Sequence, residues 1–286
     1  MIQIPFDPEL HFGPLALAWH GIFTAVGIFF GVWLPIRLLR GRVSEDAAYS
    51  VATWGVVGGI LGARLVHVVD RWDFYSQHLE QILFIWSGGI AVWGAAFGGI
   101  LGGLVAALRA RLPIGGVADA AAPGLGLGFA VGRIGDIING EHLAIPCDGA
   151  PGICVAFTHP ATLGQGPGVG EGRPFSGSAW EGPVHLPVAY EMAWNALGVG
   201  LAVLLLRRLA GRAPEGRIFW LWMVWYACGR LAFGYLRVGD PAPFFALRQD
   251  QIIALLTLAV ALPALAFLQS GVLDRAFARL RGVAAA

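Results

Sequence analysis

Residues 132–142 read GRIGDIINGEH and place Arg133, Asp136, Asn139, Glu141 and His142 within ten positions. An arginine fork grips phosphate oxygens in pairs, an imidazole moves protons near neutral pH, and carboxylates orient either group. Arg64, Arg230, Arg237 and Glu191 add the same residue types elsewhere in the chain. Such a set suits the binding of a phosphate-bearing group. The structural alternative is that each arginine pairs with Asp136, Glu191 or a backbone carbonyl and holds helices together. Location decides between them, because an arginine at membrane depth costs roughly 2.5–3.5 kcal/mol on insertion scales and such residues usually mark a functional site.

The chain of 286 residues is 57% hydrophobic and 13% charged, with a mean hydropathy of +0.68. A soluble domain carries about 25% charged residues, so the deficit implies a membrane protein. All 19 basic residues are arginine, which removes every function that needs a Schiff-base lysine. The net charge of +1 gives no support for nucleic-acid binding. Three cysteines without a C-x-x-C pair support neither a zinc site nor a thioredoxin-like one, and no phosphate-binding glycine loop is present. No cofactor and no metal are expected.

A helix needs about 20 apolar residues to cross the hydrocarbon core. Such stretches lie near 15–36, 47–69, 87–108, 116–138, 187–206, 218–236 and 251–269. The fourth is diluted by glycine and interrupted at its start by Asp119. The segment before the first has no basic n-region and two acidic residues, and reads as leading into a retained helix rather than a signal peptide. Twelve arginines, from Arg37 to Arg281, fall in alternating loops or the tail, which makes that side cytoplasmic. The sequence therefore predicts an all-α polytopic membrane protein of about seven helices in one integral-membrane domain over 1–286. Its N-terminus is outside, its C-terminus cytoplasmic, and an irregular external segment runs from about 139 to 186. Arg64, Arg133, Arg230 and Arg237 then converge on the outer leaflet from spans two, four and six.

Cys147 and Cys154, seven apart in that external segment, are candidates for a disulfide, whereas Cys228 reads as an apolar packing residue in span six. Glycines at spacing four, among them Gly58, Gly62, Gly98 and Gly102, fit close helix packing. Gly89 and Gly94 fall at the outer mouth, where exposed backbone could line a headgroup pocket. Trp72, Tyr75, Trp86, Trp180 and Tyr235 suit an aromatic belt.

GRIGDIINGEH resembles the signature of prolipoprotein diacylglyceryl transferases, usually close to G-R-x-G-N-x-x-N-x-E. GPLALAWHGI, GGILGARLVHVV, WSGGIAVWGAAFGG, PVAYE and GRLAFGYLRVGDP resemble other elements of that family, in order, over nearly the whole chain. Arg64, Arg133, Asn139, Glu141, Glu191, Arg230 and Arg237 are retained. Asp136 stands where the signature usually has Asn, Trp93 where most members have His or Tyr, and His20 where Tyr is common.

The resemblance implies transfer of a diacylglyceryl group from phosphatidylglycerol to the lipobox cysteine of a secreted prolipoprotein, in the bacterial cytoplasmic membrane. The partners implied are phosphatidylglycerol, prolipoprotein signal peptides and membrane lipids. It gives Arg133 and Arg237 the departing phosphate and Asn139 the glycerol or phosphate oxygens. Glu141 and Glu191 would hold the arginines, with Arg64, Arg230, Asp136, Gly89, Gly94 and Trp93 around the lipid. His142 is a candidate base for the thiol; the arginine cluster itself, by lowering the thiol pKa, is the other source of thiolate. Two further readings stay open: a lipid-binding relative without transfer activity, motivated by Trp93 and Asp136, and an anion path, which predicts arginines spread through the membrane depth.

Overall fold

The computed structural model describes residues 1–13, 15–84, 89, 91–140, 144–147, 152–162, 182–209, 215–237 and 247–270. The long helices are α1 (Trp19–Leu39), α2 (Glu45–Asp70), α4 (Val92–Arg109), α5 (Ile114–Asn139), α6 (Pro187–Arg208), α7 (Arg217–Gly234) and α8 (Gln249–Gln269); α3 (Trp72–Tyr75) is a single turn after α2. Five of them, α1, α2, α5, α6 and α8, are long and apolar enough to cross a membrane by length and composition. Their outer surfaces fit that solvent: Leu61, Leu65 and Val69 on α2, and Phe97 and Leu101 on α4, are exposed. An apolar exterior is stable against lipid tails, not against water.

Helix α2 starts at Ser44, whose hydroxyl accepts from Ala47 N, with Glu45 and Asp46 in the positive first turn. It then packs along α4 through a seam of glycines. A Cβ on Gly58 would collide with Gly98 O, and one on Gly94 with Gly62 O. The backbones therefore touch directly, as small residues allow in membranes. Gly94 belongs to this seam and is buried against α2, so the headgroup-pocket role expected for it is not where its backbone lies.

Helix α5 packs on α1, α6 and α7. Half of its apolar stretch is buried inside the protein, against 11% for α1, so this glycine-diluted span is the most buried of the five. Asp119 is buried 97 residues from its partner: Oδ2 accepts from Gly216 N and Oδ1 from Phe219 N, both at 2.8 Å. It caps α7 from a neighbouring helix rather than interrupting its own. At the other end Gly140 takes φ 65°, ψ 38° and its N–H returns to Asp136 O, which ends α5 just after Asn139.

Short strands correct the all-α expectation. β1 (Ile2–Ile4), β4 (Cys154–Phe157) and β5 (Val184–His185) form one sheet, with Ile2 beside Val155 in parallel and Cys154 beside His185 in antiparallel register. β2 (Glu9–Phe12) and β3 (Leu15–Ala18) form a hairpin. The stretch 15–18, expected to open the first span, is thus strand, and α1 begins at Trp19. The segment from 139 to 186 is correspondingly not wholly irregular. Ile4, Ala144, Val155, Phe157, Val184, Leu186 and Ala189 form a buried cluster with Ile137 of α5 packed on it. Cys147 and Cys154 are joined in a disulfide. Cys228 is exposed on α7 rather than packed in the interior.

The glycine seam generates a prediction. Gly62→Val and Gly98→Val should each lower the thermal unfolding midpoint in detergent, because added methyl groups in a packed contact cost about 1–3 kcal/mol. Gly200→Val, where a Cβ meets nothing within 4 Å, is the control and should leave the midpoint near that of the parent.

Candidate active site

Pro187 opens α6, and one turn later Glu191 points into the bundle with 3% of its surface exposed. Three arginines meet on its carboxylate. Oε1 accepts from Arg230 Nη1 at 2.7 Å and Oε2 from Arg237 Nη2 at 3.2 Å; Arg237 Nη2 also lies 3.0 Å from Oε1, and Arg133 Nη2 lies 3.0 Å from Oε2. Arg230 continues to Asp250 Oδ2 at 3.1 Å, and Arg248 Nε lies 3.4 Å from Asp250 Oδ1. Arg248 also donates to Arg237 O at 2.9 Å and to Gly234 O, which fixes the turn that carries Arg237. On the far side Arg133 Nη1 reaches Asp136 Oδ2 at 2.5 Å, and Asp136 Oδ1 lies 2.5 Å from His20 Nδ1.

Helices α5, α6, α7 and α8 each contribute a charge, and His20 brings in α1. Among the described residues the set contains four arginines and three carboxylates, so its balance favours an anionic ligand. Buried charges persist only when paired, and here every arginine has a carboxylate within ion-pair distance. The side chain of Arg133 is 19% exposed and that of Arg237 only 5%, so Arg133 is the more accessible of the two to an incoming group.

The backbone around Arg237 is held as firmly as its guanidinium. Ala144 and Arg237 form an antiparallel bridge, Ile145 N donates to Leu236 O at 3.0 Å, and His185 N donates to Ile145 O at 3.1 Å. The strand-like segment after the GRIGDIINGEH motif thus ties the end of α7 to β5.

Arg64 stands apart from this network. Its Nε donates to Ile82 O at 2.8 Å, Nη1 to Gly89 O at 2.8 Å and Nη2 to Gln81 O at 2.5 Å. Its guanidinium also lies over the ring of Tyr75. These contacts clamp the connection between α2 and α4, as the structural alternative for arginine anticipates. Tyr75 is buried under it and does not join an aromatic belt. Gly89, at φ 76°, offers its carbonyl to Arg64, and a Cβ there would press on His67 and Arg64. Trp93, in the first turn of α4, makes no hydrogen bond or ring contact among the described residues. Asn139 ends α5 two turns beyond Arg133, partly buried. Glu141 and His142 lie outside the described residues, as do Trp86 and Trp180.

The sequence passed over Asp250 and read Arg248 as a solvated or headgroup-facing residue at a loop edge, because a residue beside an apolar run carries no local mark of its partners; Arg248 instead joins the ion network. A recess of about 630 Å³ runs along α2 and α4 past Trp54, Leu61, Leu65 and Leu101, and none of the ion-network residues lines it. Its apolar lining is that of a lipid-facing groove.

Fold and site together define a helical membrane protein that gathers buried arginines from several helices around one glutamate. The family model described as prolipoprotein diacylglyceryl transferase matches residues 9–267, and the chain belongs to that family. Among curated relatives, the phosphatidylglycerol–prolipoprotein diacylglyceryl transferase of Acaryochloris marina is 34% identical over 265 residues, 91% of this chain and 90% of the relative. That of Thermosynechococcus vestitus is 34% identical over 252 residues, 88% of each chain. That of Dehalococcoides mccartyi is 31% identical over 267 residues, 92% of this chain and 94% of the relative.

Glu191→Gln removes the common partner of three arginines. Breaking a buried ion pair from one side costs about 3–5 kcal/mol. The variant should show a sharply lower unfolding midpoint in detergent; a midpoint equal to the parent's would mean that the arginines do not depend on Glu191.

Proposed function

We propose that the chain transfers the diacylglyceryl group of phosphatidylglycerol to the lipobox cysteine of a prolipoprotein, forming a thioether and releasing glycerol phosphate. The observation that carries this reading is the gathering of Arg133, Arg230 and Arg237 on Glu191, at the end of α5 that bears the GRIGDIINGEH motif. The cysteine sulfur attacks the glyceryl carbon that bears the phosphodiester oxygen. A C–S bond forms as the C–O bond breaks, and the electron pair leaves on the phosphate. Negative charge therefore grows on the phosphate, where preorganised donors lower the barrier most.

Arg133 and Arg237 take that phosphate, and Asn139 donates to glycerol or phosphate oxygens. Glu191, Arg230 and Asp250 position the two arginines, with Glu141 in the same supporting role. Arg64 and Gly89 shape the loop before α4, and Trp93 shapes the lipid-facing wall. The seven long helices all span, the N-terminus lies outside, and the site faces the outer leaflet of the bacterial cytoplasmic membrane. The clustering of charges toward one end of the helices, rather than along the membrane depth, favours a lipid transferase over an anion path.

The direct test is incubation of the purified chain with labelled phosphatidylglycerol and a lipobox peptide, followed by the peptide's mass. A gain of one diacylglyceryl group is expected; a peptide of unchanged mass would leave the lipid-binding relative without transfer activity as the better reading. Arg133→Gln and Arg237→Gln should each reduce transfer by about two orders of magnitude, the usual effect of losing one charge-assisted donor at such a site. Arg133→Lys should also lose most activity, because the planar fork is gone. Turnover near the parent's in both Gln variants would reassign these residues to bundle architecture.

The orientation has its own test. Reporter fusions after positions 112 and 213 should read cytoplasmic and one after 170 external. An external signal at 112 or 213 would turn the site to the other leaflet.

A further inference from the structure

A cysteine thiol is mostly protonated at neutral pH, so the attacking sulfur must lose a proton on the way to the thioether. Trp93 cannot accept it, because an indole N–H only donates. Another pair of residues is built for the task. His20 lies in the first turn of α1, and its Nδ1 lies 2.5 Å from Oδ1 of Asp136 on α5. The other oxygen of Asp136 receives Arg133 Nη1. One carboxylate thus holds an imidazole on one side and a phosphate-binding arginine on the other. Asp136 is 4% exposed, while the His20 side chain is 42% exposed. The ring is therefore anchored at Nδ1 and accessible at its body.

The backbone keeps this geometry. A Cβ on Gly135 would lie 2.7 Å from both His20 Cα and Trp19 O, so α1 and α5 touch at this turn. Trp19 N donates to Pro8 O at 3.2 Å and Trp19 Nε1 to Asp7 O at 3.0 Å, which ties the first turn of α1 to the N-terminal segment. Other described histidines are elsewhere: His67 abuts Gly89, and His185 Nδ1 lies 3.9 Å from Cys147 Sγ. Two of the three positions at which the sequence departs from the family pattern, His20 and Asp136, are a single contact in the structure.

We propose that His20, oriented by Asp136, is the general base that deprotonates the substrate thiol; the proposal rests on the transfer reading above. An ionised carboxylate only accepts hydrogen bonds, so Asp136 selects the tautomer with the proton on Nδ1 and the lone pair on Nε2. The thiol proton passes to Nε2 as sulfur attacks the glyceryl carbon. The C–S bond forms, the C–O bond breaks, and the electron pair departs on the glycerol phosphate that faces Arg133. The imidazolium left beside Asp136 returns its proton to water or to the product phosphate.

The test compares the full-length chain and His20→Gln in detergent with phosphatidylglycerol and two lipobox peptides, one with cysteine and one with selenocysteine. A selenol is already ionised at neutral pH and needs no base. With the thiol, His20→Gln should fall by about a hundredfold or more, and with the selenol by less than about tenfold, since general-base catalysis contributes 10²–10⁴-fold. Activity on the selenol shows in the same experiment that the variant folds and binds lipid. Equal losses with both peptides, or no loss with the thiol, would overturn the assignment. A parent inactive on both peptides would instead overturn the transfer reading, and this assignment with it.

Discussion

The carboxylate of Glu191 is the point on which the site end of the bundle depends. Arginine cannot be left alone in a low-dielectric interior, and three of them here use the same two oxygens. Because Arg133 is on α5, Arg230 on α7, Arg237 just past α7, and Glu191 on α6, this one contact fixes three helices relative to one another. Asp250 extends the constraint to α8 through Arg230 and Arg248, and Asp136 extends it to α1 through His20. Helices in lipid gain little from hiding apolar surface from one another, so their arrangement comes from close packing and polar contacts. The protein divides the two means: α2 and α4 meet through bare glycine backbone, whereas α5 to α8 meet through charge.

That division explains what the sequence could disclose. Long apolar runs mark helices wherever they fall: the seven expected stretches each overlap a long helix, and five of these helices are long and apolar enough to cross a membrane. The start of α1 was the exception, because Leu15–Ala18 is as apolar as the helix that follows. Only pairing with Glu9–Phe12, a contact across a turn, makes it strand. Arg133 and Asp136 were legible as a pair, since residues three apart share a helix face. Glu191 was legible as a counter-charge but not as the shared one. Asp119 looked like a defect in a span because its partners, Gly216 and Phe219, lie on another helix about 100 positions away. Asp250 was illegible for the same reason: its pair with Arg230 joins two helices and leaves no periodic trace.

Arg64 shows why residue type alone does not assign a role. It is as buried as Arg237, and both carry the same charge. One is satisfied by three backbone carbonyls and the other by a carboxylate. A ring of carbonyls fills the fork with neutral partners that a phosphate would have to displace together with the loop they belong to. A carboxylate instead exchanges one anion against another, and its partner stays in the bundle. In the proposed transfer the arginines on Glu191 are therefore the ones placed to answer a change of charge on the lipid phosphate.

That change of charge is where the acidic neighbours matter. Asp136 and Glu191 compete with any phosphate for Arg133, so a singly charged phosphodiester gains only part of what bare arginines would offer. In the proposed transfer the phosphate goes from one negative charge to two as the C–O bond breaks. The same guanidinium then favours the leaving group over the carboxylates more strongly than it favoured the intact lipid. Only interactions that strengthen between substrate and transition state raise the rate of the chemical step. A cluster of unpaired arginines would hold phosphatidylglycerol tightly and gain little at the barrier, besides being unstable in the bundle. Pairing them with buried carboxylates holds their positions before the lipid arrives and shifts the benefit to the moment when charge develops.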